Sequence, residues 1–92
     1  MLDSIIQTEK ECFYCKTTRN LNKHHILHGT ANRRVSEETG LWCYLCVDHH
    51  TGSHGVHHNR ELDLMLIQYA QRKFEETHTR EEFRQAFNKS YL

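Results

Sequence analysis

Leu41-Trp42-Cys43-Tyr44-Leu45-Cys46-Val47, followed directly by Asp48-His49-His50, is the stretch on which the fold turns. An unbroken run of apolar and aromatic side chains, free of glycine and proline, predicts a strand. After Asp48 the chain reads His49-His50-Thr51-Gly52-Ser53-His54-Gly55-Val56-His57-His58-Asn59, and its two glycines disfavour a long regular helix. A short helix followed by a loop is expected there.

The same stretch carries half of a metal site. Cys12-x2-Cys15 is the other half, because two thiolates three residues apart on a tight turn can face one ion. Two completions compete, Cys43-x2-Cys46 and Cys46-x2-His49. Residues i and i+3 of an extended strand face opposite sides about 10 Å apart, so Cys43 and Cys46 chelate together only if Tyr44-Leu45 turns. That dipeptide has poor turn chemistry, whereas Val47-Asp48 allows Cys46 and His49 to converge. Cys12, Cys15, Cys46 and His49 are therefore the expected ligands of a structural Zn2+, with Cys43 buried as a small hydrophobe. The set with Cys43 in place of His49 is the alternative.

Composition agrees with a metal staple. A chain of 92 residues with 37% hydrophobic content supports one small core, so residues 1–92 read as a single domain. Structural zinc can add about 10–16 kcal/mol of binding free energy to the folding of so small a unit. Disulfides would need an oxidising compartment, and the start Met1-Leu2-Asp3-Ser4-Ile5-Ile6 lacks the basic and apolar regions of a signal peptide. No apolar run approaches the ~20 residues of a membrane span, so a cytoplasmic protein with no membrane partner is expected. Twelve basic residues balance twelve acidic ones, so any polyanion site must be local.

Around the central strand the pattern is simpler. Residues 1–10 read as a short lead-in helix or coil anchored by Ile5 and Ile6. Leu21 to Leu27 reads as a second strand, bounded by Asn20 and Gly29. Thr30 to Gly40 reads as a polar surface connection with one helical turn at Ser36–Gly40, closed by the glycine. Leu62, Met65, Leu66, Tyr69, Ala70, Lys73 and Phe74 form a helical stripe within about 60–76, most simply core. Thr79 with Glu82 matches a capping box, and Phe83 and Phe87 lie four apart on the helix that follows.

Of nine histidines, eight lie between His24 and His58, and the structural set absorbs only His49. The surplus predicts a second, open metal site. Cys12-x2-Cys15, then Leu21-Asn22-Lys23-His24-His25-Ile26, then Leu45-Cys46-x2-His49-His50, resembles the zinc-knuckle branch of the HNH endonuclease family. The likeness covers about residues 12–58 and extends to small HNH-like proteins of phages and prophages of Gram-positive bacteria, in the look of Asn59-Arg60-Glu61-Leu62. It implies an α+β fold: a small zinc-stapled ββα-metal unit over 12–58, followed by two C-terminal helices over 60–92.

By the same resemblance, His24 ligates a catalytic divalent metal (Mg2+, Mn2+, Ni2+ or Zn2+), His25 is the general base, and His50 is a further ligand. His57 completes the set, with His54 and Asn59 as alternatives, because Gly52 and Gly55 weaken the helix that would align His50 with His54. The family's asparagine before the second strand has no counterpart, since Gly40 or Leu41 stands at that place and Asn32 lies too early. Arg19, Lys23, Arg33, Arg34 and Arg60 flank the cluster and are the expected phosphate contacts.

The implied function is a metal-dependent DNA endonuclease or nickase. The alternative is a non-catalytic, zinc-stabilised module that binds nucleic acid or protein. DNA is the expected partner, with a homodimer or a phage or host protein as further candidates, and a phage-encoded chain would act in the bacterial cytoplasm.

Overall fold

Two five-residue strands, β1 (Leu21–His25) and β2 (Trp42–Cys46), pair antiparallel in the computed structural model, which describes residues 3–92. The register sets Leu21 against Cys46, His24 against Cys43 and His25 against Trp42. It therefore carries the paired histidines to one end of the hairpin and Cys46 to the other. Residues Ile26 and Leu27, expected to extend the first strand, are buried beyond it. The Ile26 N–H still reaches the Leu41 carbonyl (3.1 Å) before the chain turns through Gly29 at φ +100°.

The link between the strands differs from the sequence expectation. Instead of one turn at Ser36–Gly40, it forms the ten-residue helix α1 (Thr30–Thr39). Its polar composition hides it, because few side chains anchor it to the core. Ser36 is fully buried and donates its hydroxyl to the Leu27 carbonyl (2.8 Å), and Val35 packs at the core margin. Gly40, at φ +76°, ends the helix in the left-handed conformation and returns its N–H to Ser36, as a C-terminal glycine should. A Cβ there would also sit 2.6 Å from the Asp3 carbonyl oxygen.

Of the lead-in segment, Met1 and Leu2 lie outside the described residues; from Asp3 it is non-helical and runs beside β2. The Ser4 hydroxyl donates to the Trp42 carbonyl, Gln7 Oε1 accepts from the Tyr44 N–H, and Phe13 N–H donates to Tyr44 O (2.9 Å). These bonds cover backbone that a two-stranded sheet would otherwise leave open. Ile6 is buried, while Ile5 is largely exposed.

After β2 the chain forms the short helix α2 (Val47–His50), a tight loop, and helices α3 (Arg60–Phe74) and α4 (Arg80–Phe87). Asn59 caps α3 by accepting the Leu62 N–H (3.0 Å). Thr79 and Glu82 form the expected reciprocal capping box on α4. The buried face of α3 is turned relative to the expected stripe. Leu66, Ala70 and Phe74 face inward, but their flanking partners are Ile67 and Gln71, while Met65 is 64% exposed and Tyr69 37%. Gln71 is accommodated because its amide is fully used: Nε2 donates to Glu75 (2.7 Å) and Ser90 (2.9 Å), and Oε1 accepts from the Tyr91 N–H (2.8 Å). The C-terminal tail thus selects the face.

Phe74, Phe83 and Phe87 join Ile26, Leu27, Leu41, Cys43 and Leu45 in one buried cluster. The Phe83 ring lies 5.5 Å from Phe74 and 4.8 Å from Phe87, centroid to centroid. The terminal helices therefore close the core of the hairpin. Phe83→Ala is expected to cost about 3–5 kcal/mol, read as a lower urea midpoint. A loss under about 1 kcal/mol would mean that α4 does not share that core. No described helix is long and apolar enough to cross a membrane.

Two candidate metal centres

Cys12, Cys15, Cys46 and His49 meet at the Cys46 end of the hairpin. Each offers one donor atom, and all four donors lie within 4.8 Å of one another. The knuckle is wound by the Lys16 N–H bonding to the Cys12 carbonyl (3.0 Å), with Lys16 in the left-handed region at φ +67°. On the other side Cys46 is the N-cap of α2, so one helical turn brings His49 back beside it. The sulfurs of Cys15 and Cys46 are 3.7 Å apart, and His49 Nδ1 lies 3.3 Å from the Cys46 sulfur and 3.7 Å from that of Cys12. Donors held roughly 2.0–2.3 Å from one ion at tetrahedral angles stand about 3.5–3.8 Å apart, so this set has the dimensions of a four-coordinate site.

Electrostatics agrees. Burial pushes the Cys12 thiol up, but the backbone amides of Cys15, Cys46 and Tyr14 more than offset it and hold the thiol at about 6. A thiolate is thus available at neutral pH, as a metal ligand requires. Cys43 is different in kind. It lies fully buried in the apolar core, and burial raises its thiol to about 12. All four cysteines are free thiols. The result is a Cys3His cluster able to hold a metal ion, with the chemistry of a closed structural site.

The second cluster forms where β1, α2 and the loop after it converge. Donor atoms of His24, His50 and His57 lie within 4.8 Å of one another, and the Nε2 atoms of His50 and His57 are 3.2 Å apart. His24 projects from β1 into the interior, only 2% exposed, and its buried Nε2 has no hydrogen-bond partner; nor has His50 Nδ1. Burial and the neighbouring imidazoles hold His24 down to about 3, and burial lowers His50. Neutral, crowded imidazoles with an orphaned buried nitrogen suit a cation and not a proton.

His57 arrives by close backbone approach. Gly52 lies against Asp48 and Gly55 against His50, where a Cβ would come within 2.7 Å and 2.6 Å of backbone atoms. This packing lets the Val56 N–H reach the His49 carbonyl (3.0 Å) and returns His57 beside His50. His54 instead points to solvent and pairs with Asp48 (3.4 Å), and the Asn59 side chain is engaged as the α3 cap. Gly55→Ala is accordingly expected to displace His57, since the added methyl would press on the backbone of His50 and His49. If both clusters take cobalt, the titration should lose the ion of the imidazole cluster; undiminished uptake would mean that the loop tolerates the methyl group.

His25 lies next to this cluster in an open cleft of about 420 Å3. Its Nε2–H donates to Glu37 Oε2 (2.9 Å), and Glu37 Oε1 accepts from Lys23 Nζ (2.7 Å). Those two donors hold the Glu37 carboxyl below its usual range. Glu37 was not among the sequence candidates; only the full length of α1 brings it over β1, and no local spacing signals that. A second pair, His28 Nε2–H to Asp63 Oδ2 (3.0 Å), borders the cleft from α3, with the His28 ring 5.6 Å from that of His57.

The basic candidates divide. Lys23 and Arg33 line the imidazole cleft. Arg34 flanks it in an adjoining depression with Arg33 and Glu37, and Arg60 lies beyond His28 and Asp63. Arg19 is exposed on the turn before β1, at the other end of the strand from His25. No protein-family model, curated protein or solved structure matches the chain.

Proposed function

We propose that the protein is a metal-dependent nuclease that nicks DNA, with Zn2+ in the Cys3His cluster and a second divalent ion held by His24, His50 and His57. The observation that carries this reading is the convergence of three imidazoles, two of them with an orphaned buried nitrogen, on an open cleft that also holds His25. A divalent ion in such a site supplies Lewis-acid stabilisation of charge developing on phosphodiester oxygens. Neutral ligands leave that charge uncancelled.

The remaining work falls to the chain. His25, with Nε2–H committed to Glu37, keeps its Nδ1 lone pair to accept a proton from the attacking water. Glu37 fixes that tautomer and the ring orientation, where the resemblance expects an asparagine, missing here, to help fix the loop that carries the base. Lys23, anchored to Glu37, and Arg33 place positive charge at the cleft without reading base sequence.

Supercoiled plasmid incubated with the protein and Mg2+, Mn2+ or Ni2+ tests the reading. Metal-dependent conversion to the open circle, lost in His25→Ala, is the expected result. DNA retention with no cutting under any of the metals would replace it with the non-catalytic binding module.

A further inference from the structure

The face of α3 that turns away from the core presents Met65 and Tyr69 to solvent. Beside them pack Phe13 and Tyr14 of the cysteine knuckle, the Phe13 ring 5.5 Å from that of Tyr69 and 5.4 Å from that of Tyr14, centroid to centroid. Together with Arg72 these side chains line an open depression of about 390 Å3, which shares no lining residue with the imidazole cleft. Exposed apolar groups gathered in one place, instead of scattered singly, mark a contact surface.

The charges around the rings define the partner. Lys16 Nζ lies 5.6 Å from the Phe13 ring centroid and Lys73 Nζ 5.8 Å from that of Tyr69, and Arg72 is the third cation. Glu76 approaches Lys73 (3.7 Å), whereas Lys16 and Arg72 enter no ion pair among the described residues, and no described carboxylate lines the depression. In a chain whose twelve basic and twelve acidic residues cancel, this is a local surplus of positive charge.

From this pairing of rings with cations we infer that the depression is a stacking platform for an unpaired base of single-stranded nucleic acid, with Lys16, Arg72 and Lys73 meeting the adjoining phosphates. Every base offers a π-face to an aromatic side chain, and its backbone brings the negative charge that the flanking cations lack. An acidic peptide would satisfy the cations and leave the rings without a planar partner, and an apolar partner would leave the cations unpaired. The platform does not depend on the cutting chemistry, because a protein that only binds nucleic acid can hold it.

Fluorescence anisotropy of a labelled oligothymidylate, titrated with the zinc-saturated protein and no other divalent metal, tests it. A duplex of the same length and a polyglutamate peptide serve as separate probes. Tyr69→Ala should weaken oligothymidylate binding by about fivefold or more, as loss of one stacked ring does, while Tyr69→Phe should bind as the parent does. Arg72→Gln should weaken binding and lower the salt dependence by about one phosphate contact. Both side chains are exposed, so the circular dichroism of these variants should match that of the parent. No binding by the parent, a preference for the duplex, or affinity unchanged in Tyr69→Ala and Arg72→Gln would overturn the platform. Polyglutamate bound as tightly as oligothymidylate would overturn it in favour of an acidic peptide, and self-association lost in Tyr69→Ala would overturn it in favour of a second copy of the chain. Plasmid nicking by a protein whose oligothymidylate binding ignores Tyr69 would keep the nuclease and remove the platform; Tyr69-dependent binding without nicking would do the reverse.

Discussion

Removing metal with a strong chelator is expected to abolish cooperative folding of the whole chain, not of the knuckle alone. Structural zinc contributes about 10–16 kcal/mol of apparent binding free energy, while a small domain has only about 5–15 kcal/mol of net stability. The Cys3His cluster ties the Cys12–Cys15 turn to the end of β2, and Cys12 and Cys46 are themselves part of the buried cluster that contains Phe74, Phe83 and Phe87. Losing the ion frees several thiol and imidazole groups at one edge of the core. Circular dichroism during chelation should show helix loss, reversed by added zinc. Full secondary structure after quantitative zinc removal would contradict a stapling role.

Single substitutions separate the ligands. Cys12→Ala, Cys46→Ala and His49→Ala should each lower zinc content and the thiolate-to-metal absorption of the cobalt form. Cys43→Ala should leave both intact, with a modest stability cost from a small core vacancy. Zinc lost in Cys43→Ala but kept in His49→Ala would reassign the site to four cysteines.

The second large effect concerns His25. If the nuclease reading holds, His25→Ala should slow plasmid nicking by about 10²–10⁴-fold, the usual contribution of a placed general base. Metal occupancy of the imidazole cluster should not change, since His25 is not among the three grouped donors. His24→Ala should lose both occupancy and cutting. Glu37→Gln offers a finer probe, because an amide can still hold the ring but cannot carry the carboxylate's charge. An intermediate rate loss with unchanged metal content is expected. Equal cutting by the parent and His25→Ala would remove His25 from the reaction.

Much of the architecture was legible because its determinants are local. The density of aromatic and apolar side chains in Trp42–Cys46 made a strand, Thr79 with Glu82 made a cap, and Cys-x2-Cys facing Cys-x2-His has the reach of one ion. Helix α1 was less legible, since a surface helix held by one buried serine, a half-buried valine and a terminal glycine leaves almost no apolar stripe. The face of α3 was ambiguous for another reason. Leu66, Ala70 and Phe74 suit either stripe, and a tail twenty residues away decided between Met65 with Tyr69 and Ile67 with Gln71.

The sequence by itself determined the two strands, the α+β class, the capped terminal helices and the candidate donors, since each depends on residues within a few positions of one another. Only the tertiary structure decided which donors meet. His57 reaches His50 because two glycines admit backbone contact, Glu37 reaches His25 because α1 runs its full length, and His24 faces inward because the hairpin register sets it opposite Cys43. Such encounters are set by close approach between segments distant along the chain, which no short spacing encodes.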